Sequence, residues 1–400
     1  MAPYGVLGDA LACRGHEVVV AAPADLVDVL PGSVSVVPLP GGMREAVEAL
    51  GSTEGVLRAP RGLRSTLQAR TEAAVRAVLE AIGGVDVVVA GVGGAAVAEA
   101  VALAHGAPLL RAHLQPIGPA AAEYPGVLAP RLLQRAGVPR LLGHVATAEL
   151  VTLPVRGTRR SARLAANVSP RARPRVVPGA VYGYSQRVVP RARSWAPDRV
   201  ITGYWRSAET EPELEPALAD FLDRHDRPVV VGFGSMRVRD PVRIAQVIRR
   251  ATSDLGLPMV VLTGWNGPFP IQDLPETVFV APEAPHDRLF RRASAVVHHG
   301  GAGTTGASLT AGVPTIVVPF AADQTFWGNR VHALGAGPGP IPVAGLTEQR
   351  LVNALEIATG TPVAHATATL AEQLQAEDGP GAAVTAIEHL LSGRTASPER

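Results

Sequence analysis

The chain has no lysine: all 37 basic residues are arginine, set against 35 acidic ones for a formal charge of +2. With that balance and only 4% aromatic residues, it lacks the basic stripe with interleaved aromatics that nucleic-acid binding requires. Together with the excess of alanine, glycine, proline and valine, the arginines read as the codon bias of a GC-rich bacterial genome. The most basic stretch, RRSARLAANVSPRARPRVV at 159–177, is expected to be a solvated surface loop. A single cysteine, Cys13, excludes a disulfide framework within the chain. Its place in an apolar helical pattern predicts a buried side chain rather than a nucleophile. No basic n-region opens the sequence, so no signal peptide is read. The longest apolar stretch, residues 85–110, carries Asp86, Glu99 and His105 and is broken by glycines, which predicts strand, turn and helix rather than a membrane span. There is no Asp-x-Asp and no His/Cys cluster, so no metal site is expected. The class that remains is a soluble cytoplasmic enzyme.

Four hundred residues, 47% of them hydrophobic, exceed one ordinary core and predict two domains. Short apolar runs alternate with helical periodicity from end to end. HEVVVAA, VDVVVAG and APLLRA read as buried parallel strands of the first half. RPVVVGFGS, LPMVVLTGW, ETVFVAPE, ASAVVHHGG and VPTIVVPF do so in the second. Amphipathic stretches such as LRSTLQARTEAAVRAVLEAI and PVRIAQVIRRATSDLG lie between them. This is the βαβ pattern of a doubly wound sheet, written twice. Periodicity fails where prolines and charges gather, which puts a first domain at 1–195, a linker at 196–215 and a second domain at 216–378. A last helix is read at 379–400, and the family resemblance of the motifs below implies that it reaches back to the first domain.

In open α/β sheets ligands sit beyond the carboxyl ends of the strands, and the unusual residues of this chain fall there. In ASAVVHHGGAGTTGASLTAG a strand is read to end at Val297, and Gly300, Gly301 and Gly303 turn the chain into a helix starting near Thr304. Glycines allow close backbone approach, and the helix start offers unpaired N–H groups to an anion such as phosphate. Thr304 or Thr305 is expected to cap that helix, and His298 to add a donor. A glycine turn alone is a weak signal, since many simply join strand to helix; the paired histidines strengthen it. One strand later, Asp323 and Gln324 follow VVPF. A carboxylate beside an amide can divide sugar hydroxyls between them, although a plain helix cap at Asp323 is the structural alternative. Ser235 follows the second domain's first strand in another glycine turn. Trp265 follows the next strand, where an indole can stack on a base or fill a core.

FGSM, PHDRLF, VVHHGGAGTT and VPTIVVPFAADQTFWGNRVHALGAG resemble the carboxyl-terminal domain of GT-B glycosyltransferases. The subgroup is family 1, the glycopeptide, macrolide and sterol enzymes, and RGHEVVVAA and TGYW are similar to the same group. The resemblance implies a GT-B fold: two Rossmann-like domains facing a central cleft. It implies an inverting, metal-independent transfer of a hexose from a TDP- or UDP-sugar to a hydroxyl of a small lipophilic natural-product acceptor. The nucleotide-sugar is then a substrate rather than a cofactor. By resemblance His298 contacts the donor phosphate and His299 is the lesser candidate. Gly300, Gly301, Gly303 and Thr304 form the diphosphate loop, Ser235 is a further phosphate contact, and Asp323 with Gln324 read the sugar. The segment at 111–126 should line the acceptor cleft, with His113 and Gln115 as candidate contacts, although a surface-loop histidine is the plainer reading of His113.

The family's first strand ends in a Gly-Asp turn whose aspartate is the general base. Aligned on Pro3, that aspartate would precede Met1. Gly8-Asp9 lies too close to RGHEV, within a helix, to replace it. A start codon placed too far downstream, GTG being both valine and start, is the expected explanation. A real truncation would instead give a non-catalytic nucleotide-sugar-binding relative. A nucleotide-sugar epimerase of the same architecture is the other rival, and incubation with donor alone separates these readings. GVGGAA at 91–96 follows a strand, but no acidic residue stands where a dinucleotide fingerprint needs one.

Overall fold

The computed structural model describes residues 2–42, 61–130, 133, 139–206, 213–267, 270 and 274–393. Met1, against which the missing base was placed, and residues 207–212 of the expected linker lie outside the described residues. Two compact units emerge: Met1–Arg206 with Asp378–Arg400, and Ser207–Glu377.

The first unit begins with α1 (Ala2–Cys13), β1 (Val19–Pro23) and β2 (Ser35–Leu39). Then come α2 (Arg61–Ala81), β3 (Val88–Ala90), α3 (Ala95–His105) and β4 (Leu109–His113). The long α4 (Arg140–Ala165), β5 (Ala180–Tyr182) and β6 (Arg199–Ile201) complete this part. Among the described residues its strands form two parallel sheets, β1–β2 and β3–β4–β5–β6. Alternation along β4 explains why the sheet is covered on both faces. Leu110 and Ala112 pack with Leu7 of α1, Trp205, and Ala383 and Ile387 of the last helix. Leu109 packs with Ala98 and Ala102 of α3.

That last helix, α12 (Gly379–Leu391), therefore belongs to the first unit. The RGHEV segment holds it: the Arg14 guanidinium donates to Thr385 Oγ1 at 3.1 Å, and His16 Nε2 lies 3.0 Å from a Glu388 carboxylate oxygen. The Asp378 carboxylate accepts from the Gly381 N–H at 2.9 Å and caps the helix. Replacing Asp378 with alanine should remove about 1 kcal/mol of stability. In a unit of this size that lowers the melting temperature by roughly 2–4 °C, which calorimetry would show.

Three expectations need correction here. Cys13 is exposed, because it ends α1 just before the chain turns at Gly15, where φ is 93°. Residues 159–165 of the basic stretch are not loop but the end of α4. Arg159 and Arg163 grip the buried Glu99 carboxylate of α3 at 2.8 and 3.4 Å. The linker begins later than position 196, since β6 pairs with β5 and Trp205 is buried in the first unit's core.

The second unit runs α5 (Pro216–Arg224), β7 (Val229–Gly232), α6 (Pro241–Asp254), β8 (Met259–Leu262) and β9 (Val278–Ala281). It continues with α7 (His286–Phe290), β10 (Ala295–His298), α8 (Ala302–Thr310) and β11 (Thr315–Val317). Helices α9 (Gln324–Ala333), α10 (Glu348–Ala358) and α11 (Thr361–Gln375) close it. The five strands are all parallel, in the order β11–β10–β7–β8–β9. Val229 and Val231 face α6 and α10, while Val230 faces α5 and α7. Burial on both faces is why these strands read as continuous apolar runs. From β7 the chain builds outward one way through β8 and β9, then returns to place β10 on β7's other side. The switch point therefore lies between β7 and β10, at the paired ends Gly232 and His298, where doubly wound sheets hold ligands.

Candidate functional site

Turns from three neighbouring strands converge at that switch point. Gly234 and Gly264, each with φ of 56°, turn the chain after β7 and β8. The Trp265 N–H donates to the Gly234 carbonyl at 3.2 Å, so the turn carrying Ser235 and the short 3-10 turn carrying Trp265 are stitched together. A Cβ on Gly264 would overlap the Gly234 backbone. His299 enters from the third strand: its Cε1 would stand 3.5 Å from a Cβ on Gly234, and its Nε2 2.5 Å from one on Gly301. Only at Gly301 would a side chain collide with this ring; the Gly234 turn lies at ordinary contact distance from it.

His298 has a different place. It is the last residue of β10, pairing with Gly232 and Val317, and is 1% exposed. Its Nδ1 accepts the Gly300 N–H at 2.9 Å. An acceptor Nδ1 puts the proton of a neutral imidazole on Nε2, and that atom is buried with no partner. Burial above all, with the nearby His299 and His286 imidazoles, holds His298 well below the usual histidine range. Burial followed by His286 lowers His299 to about 4. Both rings are neutral near pH 7. His298 is a latch that fixes the glycine turn, and His299 is the ring presented to the turns.

Gly300 is constrained twice. Its φ is 89°, and a Cβ there would come within 2.5 Å of Val317 Cγ1 and 2.9 Å of the Gln324 carbonyl. Helix α8 starts at Ala302 with Gly301 at its N-cap and no side-chain cap. The expected Thr304 or Thr305 cap is not formed, because the helix begins two residues earlier than the sequence suggests. Thr304 is half-buried in the first turn, Gly303 is exposed, and Thr305 Oγ1 is buried without a partner. The first amides of α8 are therefore left uncapped by side chains, beside His299, in the arrangement that suits an anion.

After β11 the expected sugar-reading pair separates into two roles. Gln324 is 4% exposed. Its Oε1 accepts the Phe320 and Ala321 N–H groups at 2.7 and 3.0 Å, and its Nε2 donates to Met236 Sδ at 3.0 Å. It clamps the loop between Phe320 and Asp323 and ties it to the turn after β7. Both ends of its amide are thus engaged within the fold. Asp323 stands half-buried at the N-cap of α9 and makes no side-chain cap. Its Oδ2 instead accepts the Trp327 indole N–H at 2.9 Å. Met236, Trp327 and Ala322, which has a left-handed φ of 55°, had no signal in the sequence beyond adjacency to the motif.

In the first unit, His113 is not a surface-loop residue. It ends β4, is 8% exposed, and packs 5.5 Å from the Tyr182 ring. Burial, then Arg111 and Arg199, lower its pKa to about 4, and its Nδ1 is buried without a partner. Gln115 is half-buried, with its carbonyl accepting from the Ile117 N–H at 2.7 Å. Among the described residues no group of three or more His, Cys, Asp or Glu could hold a metal ion, and no helix is long and apolar enough to cross a membrane.

Residues 257–390 match the erythromycin biosynthesis protein CIII-like C-terminal domain. The chain is 38% identical over 217 residues to sterol 3-beta-glucosyltransferase UGT80A2 of Arabidopsis thaliana, covering 53% of this chain and 34% of that protein. It is 37% identical over 200 residues to the Kluyveromyces lactis sterol 3-beta-glucosyltransferase, covering 47% and 16%. The chain thus spans about a third or less of the length of these curated relatives. Among solved structures, the calicheamicin glycosyltransferase CalG4 shares the fold with a TM-score of 0.65 at 21% identity, covering 98% of this chain and 94% of that one. SnogD of Streptomyces nogalater does so at 0.62 and 19%, covering 98% and 96%. SsfS6 of Streptomyces sp. SF2575, complexed with thymidine diphosphate, does so at 0.58 and 19%, covering 97% and 95%. Residues 257–390 thus match an erythromycin biosynthesis protein CIII-like C-terminal domain, and the whole chain shares the two-domain α/β fold of these GT-B glycosyltransferase structures.

Proposed function

We propose that the protein is a glycosyltransferase moving a hexose from a nucleoside diphosphate to a hydroxyl of a small lipophilic acceptor. The observation that carries this reading is the convergence at the switch point of the second unit. Uncapped α8 amides, the His299 ring and the Gly234–Ser235 turn are gathered there as the proposed contacts of a diphosphate. On this reading Trp265, whose N–H is tied to the Gly234 carbonyl, is assigned to the base and Asp323 to a sugar hydroxyl.

The chemistry follows from the geometry. Sugar transfer leaves a diphosphate on which negative charge grows as the glycosidic bond breaks. Fixed N–H donors aimed at that charge stabilise it more in the transition state than in the ground state. His299 serves as a neutral donor, and the glycine turn supplies amides held by the His298 latch. In this scheme no metal ion is required. Thymidine diphosphate is the first nucleotide to test, since SsfS6 was crystallised with it. His113 and Gln115, on and after β4, are the proposed acceptor contacts.

The test is a transfer assay: sugar nucleotides presented with hydroxylated lipophilic acceptors, scored for nucleoside diphosphate and glycoside. Turnover that needs an acceptor supports the reading. Epimerised sugar from donor alone would replace it with an isomerase. Binding without turnover against every acceptor would leave a binding protein.

A further inference from the structure

We infer that Trp327 is a positioning residue that sets which sugar the site accepts, by fixing the carboxylate of Asp323. This rests on the proposed reading of the site as a nucleotide-sugar site. Trp327 lies one helical turn after Asp323 on α9, so the two side chains share a face. The indole N–H reaches Asp323 Oδ2 at 2.9 Å, and the Trp327 backbone N–H reaches the Asp323 carbonyl at 3.2 Å. The indole is fully buried and meets the Phe326 ring edge-on at 5.4 Å between centroids. Its position is therefore set by packing, and it holds the carboxylate rather than the reverse.

The backbone around Asp323 is held just as firmly. Ala322 occupies the left-handed region, which an alanine adopts only when its surroundings impose it. The surroundings are visible: Gln324 Oε1 takes the two preceding amides. A Cβ on Gly328, the residue after Trp327, would stand 2.7 Å from Pro340 Cβ, so α9 is seated closely on its neighbour. Loop clamp, strained turn and indole converge on one carboxylate.

Fixing a carboxylate matters for specificity in a way that it does not for affinity alone. A carboxylate free to rotate can follow a hydroxyl from the equatorial to the axial position. One with an oxygen committed to an indole cannot, and it rejects the epimer whose hydroxyl has moved. Trp327 thus touches no sugar and still determines which epimer is accepted.

Trp327→Phe keeps an aromatic ring and removes the N–H. Titrate wild type and variant with a nucleoside diphosphate and with its glucose and galactose conjugates. The expected result is unchanged affinity for the bare diphosphate and a glucose-to-galactose ratio about tenfold closer to one, in binding and in kcat/KM. A variant that keeps the wild-type ratio, or that loses all three ligands equally, overturns the inference. If the phenylalanine variant does not fold, benzothienylalanine at 327 replaces only the N–H with sulfur, and the same outcomes apply. A wild-type protein that binds the diphosphate but gains nothing from either sugar would instead sink the sugar-site reading itself, and this inference with it.

Discussion

Between pH 6.5 and about 4 the protein is expected to lose several kcal/mol of stability, with both units affected. Buried histidines drive this loss. His113 in the first unit and His299 in the second both titrate near 4 in the fold, against an unfolded value of 6.5. Burial penalises the imidazolium in each case, and His298 is lowered further still. As pH falls below 6.5 the unfolded chain takes up these protons while the native chain does not. Stability therefore rises with pH across the window and is flat above it. Each of the two rings at about 4 contributes roughly 3 kcal/mol over the window, at 1.36 kcal/mol per pKa unit. Denaturant melts at half-unit pH steps would measure the slope. His113→Phe, which keeps a ring against Tyr182, should flatten the first unit's slope by about one proton, or roughly 1.4 kcal/mol per pH unit. An unchanged slope in that variant would show that His113 does not titrate as its burial requires.

The same burial explains which parts of the molecule could be read from the sequence. β7, β8, β10 and β11 are four- and three-residue strands in apolar runs with both faces covered, and short β-branched runs bounded by turn residues are the signature of such strands. β5 and β6 leave no such signal because each is three residues long and lies among prolines and arginines, where no periodicity can develop. Strand order is a long-range property and has no local signal.

The histidine pair shows a sharper limit. Side chains alternate along a strand, so one residue's difference in where β10 ends exchanges the buried ring for the presented one. A strand ending at Val297 leaves His298 as the first loop residue. The strand in fact ends at His298, whose pairing with Val317 places that ring in the interior. Asp323 and Gln324 divide for a related reason. Adjacent residues at a helix start point apart, and only the tertiary partners Met236 and Trp327 decide which faces inward.

That division can be measured directly. His299→Ala should weaken binding of a nucleoside diphosphate by about ten- to a hundred-fold, the loss of one hydrogen bond to a charged partner worth roughly 1.5–3 kcal/mol. The second unit's stability should barely change, because the His299 side chain makes no hydrogen bond among the described residues and lies against the Gly234 and Gly301 turns. His298→Ala should act in the opposite sense. It strips the Gly300 N–H of its acceptor in a buried setting, at about 1–3 kcal/mol, and leaves a cavity beside β11 whose cost adds to this. Its main effect is therefore a lower melting temperature, and weaker binding follows only as the turn loosens. Asp323→Asn should spare the bare diphosphate and weaken only the sugar conjugate, because its proposed partner is a hydroxyl. Calorimetric titration of the three variants with both ligands, alongside their thermal melts, resolves the roles. Should His298→Ala lose diphosphate affinity at full stability while His299→Ala binds normally, the phosphate-facing ring is His298 and the strand-parity argument fails. The neutral state of His299 adds one condition to the same experiment. A donor that gains its proton only near pH 4 gives a hydrogen bond of constant strength from pH 6 to 8, so the loss caused by His299→Ala should be the same at both ends of that range. A loss that grew severalfold toward pH 6 would mean that the ring is charged when it meets phosphate.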